Sequence, residues 1–361
     1  MTGRAKRRQA DTPPHAGDQA DTAKSSRTPS AVTIRDVAAA AGVSMSTVSH
    51  TFSGARPISK KTRDRVLAAS RELGYVPNAH ARNLRLGRSG MIGLILRPRF
   101  AVAGTPDVAE TFNRLIGSAA TAALRRRLGL VHVPALDDDT YEVPPMDGCV
   151  VAHPYENDET IRFLERTEIP FVLADRDPAR TDLPWTVEID YETGLKDIFE
   201  ATSPDGRHVI LMPGTEGNQW NREAERVYTE WCGATGQTPE VRLLSEGATP
   251  EETRSFAVEV LEQHNLPVGL VFASSNSGIQ IIEAAEQLGL EIPDELSLAA
   301  LTDSTHSIAS VPSITSLDLA HEELTETAVE LLTKRIAGSA PPDSPIKVSP
   351  SVRIRASSPV N

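Results

Sequence analysis

The sequence predicts an α/β protein, with a small all-α helix-turn-helix head before a large two-lobed body of parallel sheets flanked by helices. Three observations carry that prediction. Residues 33–50, TIRDVAAAAGVSMSTVSH, fit a helix, a tight turn and a second helix. From Met91 onward, short apolar runs alternate with helix-length stretches, as strands joined by helical crossovers do. Charge is divided the same way: residues 1–90 hold 16 Lys and Arg against 6 Asp and Glu, whereas the remainder holds 21 against 43.

Counting Ile34 as the first position of the head motif, small Ala38 comes fifth, Gly42 ninth and Val48 fifteenth. A small residue lets two helix backbones cross closely, and glycine takes the left-handed turn cheaply. Val48 then closes a tiny core. Ser44 is placed to cap the second helix, and Thr33 with Asp36 is a weaker form of the capping box, which wants Glu or Gln. Met45, Ser46 and His50 fall on the first turn of that helix and one turn on, facing away from Val48. Such positions reach base edges in the major groove. The same eighteen residues also fit any alanine-rich helix pair. Ser53 to Pro57 reads as a loop. Ser59 can cap a third helix, with Val66, Leu67, Ala69, Ser70 and Leu73 as its apolar stripe and Gly74 as its end.

The 361 residues suffice for one small and one large domain. A net charge of −12 alone argues against a nucleic-acid partner, but a basic head on an acidic body is what a DNA reader joined to a sensor would show. Two cysteines, Cys149 and Cys232, make neither a disulfide framework nor a metal-ligand spacing, so a reducing cytoplasm is expected. No apolar run approaches the roughly 20 residues of a membrane helix. Arg4, Lys6, Arg7 and Arg8 have no apolar segment behind them, so no secretory signal is expected. Residues 1–30, rich in Arg, Asp, Ser, Thr and Pro, read as a disordered basic tail.

After Tyr75 and Pro77 comes NAHARNLRLGR, residues 78–88, with helical propensity but too short and polar to hold a helix alone. The run from Thr33 to Gly93 resembles the DNA-binding head and hinge of the lac/galactose repressor (LacI/GalR) family. The resemblance rests on T-x-x-D-V-A at 33–38, A-G-V-S at 41–44, T-V-S-H at 47–50, P-x-S-x-x-T-R at 57–63, L-G-Y-x-P-N at 73–78, A-R-x-L-R at 81–85 and I-G-L at 92–94. It implies that Met45, Ser46 and His50 read the major groove, with Arg56 a further base contact. Many relatives carry Arg at the His50 position, and neutral His reads a base more loosely than a bidentate Arg. Thr33, Ser44, Thr47, Ser49 and Tyr75 match phosphate-binding positions, which set register. Leu84 matches the hinge leucine that wedges into a central base step from the minor groove, and Arg85 would lie along that groove.

In the body, Ile92–Leu96, Leu130–Val133, Gly148–Ala152, Phe171–Ala174, His208–Met212, Val241–Leu244, Val268–Ala273 and Leu296–Leu301 read as strands. Ala109–Leu128, Glu159–Arg166, His321–Ile336 and stretches near 191–201, 220–234, 250–264 and 277–288 read as helices. Two such groups imply two lobes with a cleft, in agreement with the periplasmic-binding-protein-like sensor of the resembled family. Asp190 and Gly194 are similar to the Asp-x-x-x-Gly that opens the second lobe, and Asp175-Arg176 is also family-like. Arg222 aligns with the effector-contacting arginine, and Trp220 or Trp185 could stack on a ligand ring. The chain departs from the pattern at Ser275, where sugar-binding relatives usually have Asp, and at Thr302-Asp303, where they have two acidic residues. Arg222, Trp220, Ser275 and Asp303 are thus the effector candidates, and a sugar or another metabolite is expected.

The expected boundaries are a tail 1–30, a head 31–77, a hinge 78–90 and an effector-binding and dimerisation domain 91–361. The implied protein is a cytoplasmic transcriptional regulator, most simply a repressor, that binds a palindromic operator in double-stranded DNA as a homodimer. No leucine heptad follows V-R-I-R-A-S-S, so a tetramer tail is not expected. No phosphate loop, metal spacing or nucleophile with an evident base is present, and His132, His153, His208, His264, His306 and His321 form no ligand-spaced pair. No enzyme activity, cofactor, metal site or membrane partner is therefore expected. A plain solute-binding protein or an effector-free DNA-organising protein are the alternatives.

Overall fold

A computed structural model of the chain describes residues 32–53, 56–76, 88–97, 109–134, 136, 142–245, 247–273 and 275–359. Contacts divide it into two units, Met1–Asn78 and Ala79–Asn361. The predicted tail and nearly all of the predicted hinge, including Leu84 and Arg85, lie outside the described residues.

The first unit is three helices, α1 (Ile34–Ala41), α2 (Met45–Ser53) and α3 (Lys60–Glu72). Asp36 Oδ2 accepts both the Thr33 amide, at 2.8 Å, and its hydroxyl, at 2.7 Å. Asp therefore does the work assigned to Glu in the capping box, and these bonds hold its carboxyl below the usual range. Gly42 ends α1 at φ +60°, in the left-handed turn where a side chain would be strained. Ser44 Oγ accepts the Thr47 amide at 3.2 Å and Ser59 Oγ accepts that of Thr62 at 3.3 Å, so both predicted caps form. Val37, Ala38, Ala41, Val48, Val66 and Ala69 make the core, closed by Ile34, Val43, Phe52 and Tyr75. Leu73, predicted in the stripe, stands 36% exposed at the end of α3, where the helix has already turned away from that core.

The second unit holds two sheets. The first has strand order β10-β5-β4-β3-β1-β2 and is parallel throughout. Its strands are β1 (Met91–Leu96), β2 (Gly129–His132), β3 (Cys149–Ala152), β4 (Phe171–Ala174), β5 (Thr186–Ile189) and β10 (Ile346–Val348). The second has order β11-β9-β8-β7-β6, parallel except for the β11–β9 pair. It comprises β6 (His208–Met212), β7 (Val268–Phe272), β8 (Leu296–Ala300), β9 (Thr315–Asp318) and β11 (Ser351–Arg353). Helices α4 (Ala109–Arg125), α5 (Glu159–Arg166) and α11 (His321–Ile336) belong with the first sheet. The second sheet has α6 (Tyr191–Thr202), α7 (Gln219–Thr235), α8 (Pro250–Glu262), α9 (Gly278–Leu288) and short α10 (Thr305–Ala309). β3, β4, β7 and β8 are buried along their whole length, which is why they stand out in the sequence as unbroken apolar runs.

Val241–Leu244 is not a strand. Val241 makes one isolated bridge to Leu211, beside the edge strand β6. With Leu243 55% exposed and Arg242 paired to Glu240, the segment lacks a buried face to hold further pairing. β5, β9, β10 and β11 leave no strand signal in the sequence, because their three or four residues mix Thr, Glu, Ser, Asp, Lys and Arg with the apolar positions.

The chain crosses between the lobes three times: at Asp190, at Leu319–Ala320 and at Ser349–Pro350. Gly194, on the first turn of α6, lies against the last of these. A Cβ there would meet Pro350 Cγ at 2.6 Å and Leu317 Cδ1 at 3.0 Å, so the Asp-x-x-x-Gly motif is a packing requirement of the crossing.

Candidate nucleic-acid interface and effector cleft

On α2, Val48 is fully buried, while Ser46 is exposed and Met45 is 48% exposed. At 3.6 residues per turn, Ser46 and His50 project from the side opposite Val48. Ser44 Oγ lies 2.8 Å from both Ser46 Oγ and Thr47 Oγ1, so three hydroxyls gather at the positive end of α2. Unpaired amides and hydroxyls at a helix start suit an anionic oxygen. Thr33 and Arg56 are exposed, and Ser49, His50 and Tyr75 are half-buried. The Tyr75 ring packs beside Phe52, with centroids 6.0 Å apart.

In the second unit the carboxyl ends of both sets of strands face one cleft, the usual ligand position in such sheets. His153 follows β3 and Asp175 follows β4, both at positive φ. Tyr191, opening α6, donates to Asp175 Oδ2 at 2.6 Å, and His153 Nδ1 lies 3.3 Å from the same oxygen. His321, opening α11, meets the His153 ring edge-on at 5.5 Å. Burial first, then the neighbouring His153 and Arg114, push the His321 pKa down to about 3. Burial and the Asp175 charge push the Tyr191 phenol well up. Two of these four side chains, Tyr191 and His321, directly follow the crossings at Asp190 and at Leu319–Ala320.

The lobes touch on two sides. Tyr155 bridges Asn218, the Glu156 amide donates to Gly217 O at 2.8 Å, and Arg222 Nη2 donates to Glu156 Oε1 at 2.8 Å. Opposite, Glu110 of α4 accepts the Thr305 amide at 3.0 Å, and Arg114 reaches Asp303 O at 3.3 Å.

Of the effector candidates, Arg222 is therefore engaged in a clasp between the lobes. Asp303 is tied inside its own lobe, its Oδ1 accepting from Arg355 at 2.8 Å and from Ser316 at 2.6 Å. Ser275 sits in a 3-10 turn after β7. Trp220 is half-buried against the core, and its Nε1 is buried with no hydrogen-bond partner. His153 Nε2 is likewise buried and unpartnered. Both lie on segments that the Tyr155–Asn218 bridge draws together. Trp185 is placed elsewhere: it lies 5.6 Å from the Arg335 guanidinium and lines a cavity of about 420 Å³ with Phe171, Ile169 and Leu164, by the amino end of β4. In the sequence His153 is one of the scattered histidines of the body, and nothing linear links it to Trp220.

Comparison with known proteins finds a family match within each unit. Residues 33–78 match the family described as "Bacterial regulatory proteins, lacI family", and residues 206–358 match "Periplasmic binding protein-like domain". The maltose regulon regulatory protein MalI of Escherichia coli is 30% identical over 328 residues, covering 84% of this chain and 92% of that protein. The HTH-type transcriptional repressor PurR of Erwinia tasmaniensis is 27% identical, covering 90% and 96%. Among solved structures, the lac repressor dimer bound to operator and the anti-inducer ONPF superposes with a TM-score of 0.72 at 19% identity, over 91% of this chain and 99% of that one. The CelR–cellobiose complex gives 0.62 at 21%, over 90% and 99%. With a helix-turn-helix head, two parallel-sheet lobes and a relative this similar along most of its length, the chain belongs to the lacI family of DNA-binding bacterial regulatory proteins.

Proposed function

We propose that the protein is a repressor that binds a palindromic operator as a homodimer, through residues 31–77 and a hinge at 78–90, and that a small hydroxylated ligand in the cleft of residues 91–361 changes its affinity for DNA. The observation that carries the DNA reading is the first turn of α2. It presents exposed Met45 and Ser46, with His50 behind them, over a start cluster of three hydroxyls. Base reading falls to Met45, Ser46, His50 and Arg56, and phosphate contact to Thr33, Ser44, Thr47, Ser49 and Tyr75. Leu84 and Arg85 serve the minor groove.

The effector class follows from the two unpartnered atoms. Trp220 Nε1 can only donate, so it asks for an acceptor on the ligand. His153 Nδ1 faces a carboxylate oxygen, which accepts, so in the neutral ring Nε2 is left as an acceptor and asks for a donor. Hydroxyl groups supply both kinds of partner. Leaving a buried polar atom unpaired costs about 1–3 kcal/mol, which a hydroxylated ligand would recover. The ligand named with CelR, cellobiose, is of this chemical class. Arg222, freed from Glu156, is the natural further contact, and Ser275 a candidate by its position after β7; Asp303 contributes through Arg114 and Arg355 rather than directly.

Selection of bound sequences from a random DNA pool, at near-physiological salt, tests the first part. Enrichment of a two-fold symmetric site with a flexible central step is expected. Recovery of no common sequence, with or without a panel of sugars, would overturn it.

A further inference from the structure

We propose that His208, Glu240 and His264 form a binding site for one Zn²⁺ ion at the outer edge of the second lobe, away from the effector cleft. The three come from different segments: the first residue of edge strand β6, the stretch alongside it, and the turn just after α8. Their ligand atoms all lie within 4.8 Å of one another, and among the described residues no other such group of His, Cys, Asp and Glu converges. His208 Nε2 is 3.3 Å from Glu240 Oε2, and His264 Nε2 is 2.8 Å from the same oxygen. Bonds of about 2.0–2.1 Å to a tetrahedral zinc place ligand atoms about 3.3 Å apart, so little adjustment is needed.

The surrounding bonds orient the set. His264 Nδ1 lies 2.6 Å from the Val260 carbonyl, which can only accept, so Nδ1 carries the proton. In the neutral ring this turns the Nε2 lone pair toward a carboxylate, where a bound cation can satisfy both groups. An imidazole whose far nitrogen donates to a carbonyl is the usual support of a metal-bound histidine. Arg242 Nε holds Glu240 Oε1 at 2.8 Å, and the Glu240 amide donates to Tyr228 Oη at 3.0 Å, which leaves Oε2 turned to the two rings. The side chains are 33%, 24% and 14% exposed for His208, Glu240 and His264. An ion can therefore enter, and a water can take the fourth position.

Two nitrogens and one carboxylate oxygen suit zinc better than a hard cation such as Mg²⁺ or Ca²⁺. Spacings of 32 and 24 residues carry no linear signature, which is why sequence reading expected no metal here. The bound ion would fasten the end of α8 and the outer segment to the edge of the sheet.

The test uses the full chain, stripped with a chelator and titrated with Zn²⁺ alone against a colorimetric competitor. Uptake of one equivalent is expected, with a rise in melting temperature on Zn²⁺ addition. Glu240→Gln and His264→Gln should each lose both effects while keeping the circular dichroism of the parent. If His264→Gln fails to fold, His208→Gln, at the most exposed of the three positions, gives the same reading. No uptake by the parent, or uptake unchanged in the variants, would overturn the site.

Discussion

The head and the effector cleft present their functional groups in opposite ways. On α2 the candidate reading residues are offered outward, bonded to little but one another, over a core of six small apolar residues. In the second unit the charged groups are already spent: Arg222 on Glu156, Asp303 on Arg355, and Asp175 on Tyr191 and His153. A surface that meets a large, fully charged partner needs no preparation beyond display. The cleft instead holds its shape with internal pairs that a ligand would have to exchange for its own contacts.

That contrast predicts where substitutions act. The largest effect is expected in DNA binding. His50→Ala and Arg56→Ala should each cost about 1–3 kcal/mol of operator affinity and relax base preference, with the melting curve unchanged. Equal affinity for operator and scrambled DNA in the parent would remove the distinction.

In the cleft, pH is the sharper probe. The unfolded chain takes up a proton on His321 near the ordinary value of 6.5, whereas the folded chain does so only near 3. Its contribution to stability is therefore complete above pH 6.5 and is lost progressively as pH falls toward 3. Between pH 6.5 and 5 the loss amounts to about 2 kcal/mol. Urea unfolding of the parent and His321→Asn at the two pH values should show a shallower slope in the variant; identical slopes would mean that another group sets it.

Smaller again, Ser44→Ala should lower stability of the head by about 1 kcal/mol through the lost cap. Calorimetry should place that change in the transition of the head and leave that of the lobes alone. Arg222→Ala should move stability by less than about 1 kcal/mol, since its pair with Glu156 is half exposed. It should nonetheless change the concentration of sugar that alters DNA binding. An unaltered response would confine Arg222 to the clasp.

The head was legible because its determinants are local: a small residue, a glycine and two caps lie within thirty positions and act on their neighbours. The doubly covered strands were legible for a related reason, since burial on both faces leaves unbroken apolar runs such as Val268–Phe272. What escaped depends on partners distant in sequence. β10 and β11 exist because β5 and β9 already offer an edge, not because Ile346–Val348 or Ser351–Arg353 prefer to be extended. The pairing of Asp303 with Arg355 joins residues 52 apart, and the segments that carry His153 and Trp220 are drawn together by the Tyr155–Asn218 bridge between the lobes.

The three crossings also order the protein's synthesis. The head holds all its core by residue 75, so it can fold while most of the chain is still unmade. Neither lobe has that freedom. The first sheet waits for α11 and β10, encoded after almost the whole of the second lobe, and the second waits for β11 and for Ser357, whose amide and hydroxyl tie Ser313 and Leu298. On a ribosome the two lobes would finish together, only once residues 346–358 had emerged, with long stretches of apolar strand exposed until then. Truncation before Ile346 would thus leave both sheets an edge strand short, while the head, whose core is complete by residue 75, kept its structure.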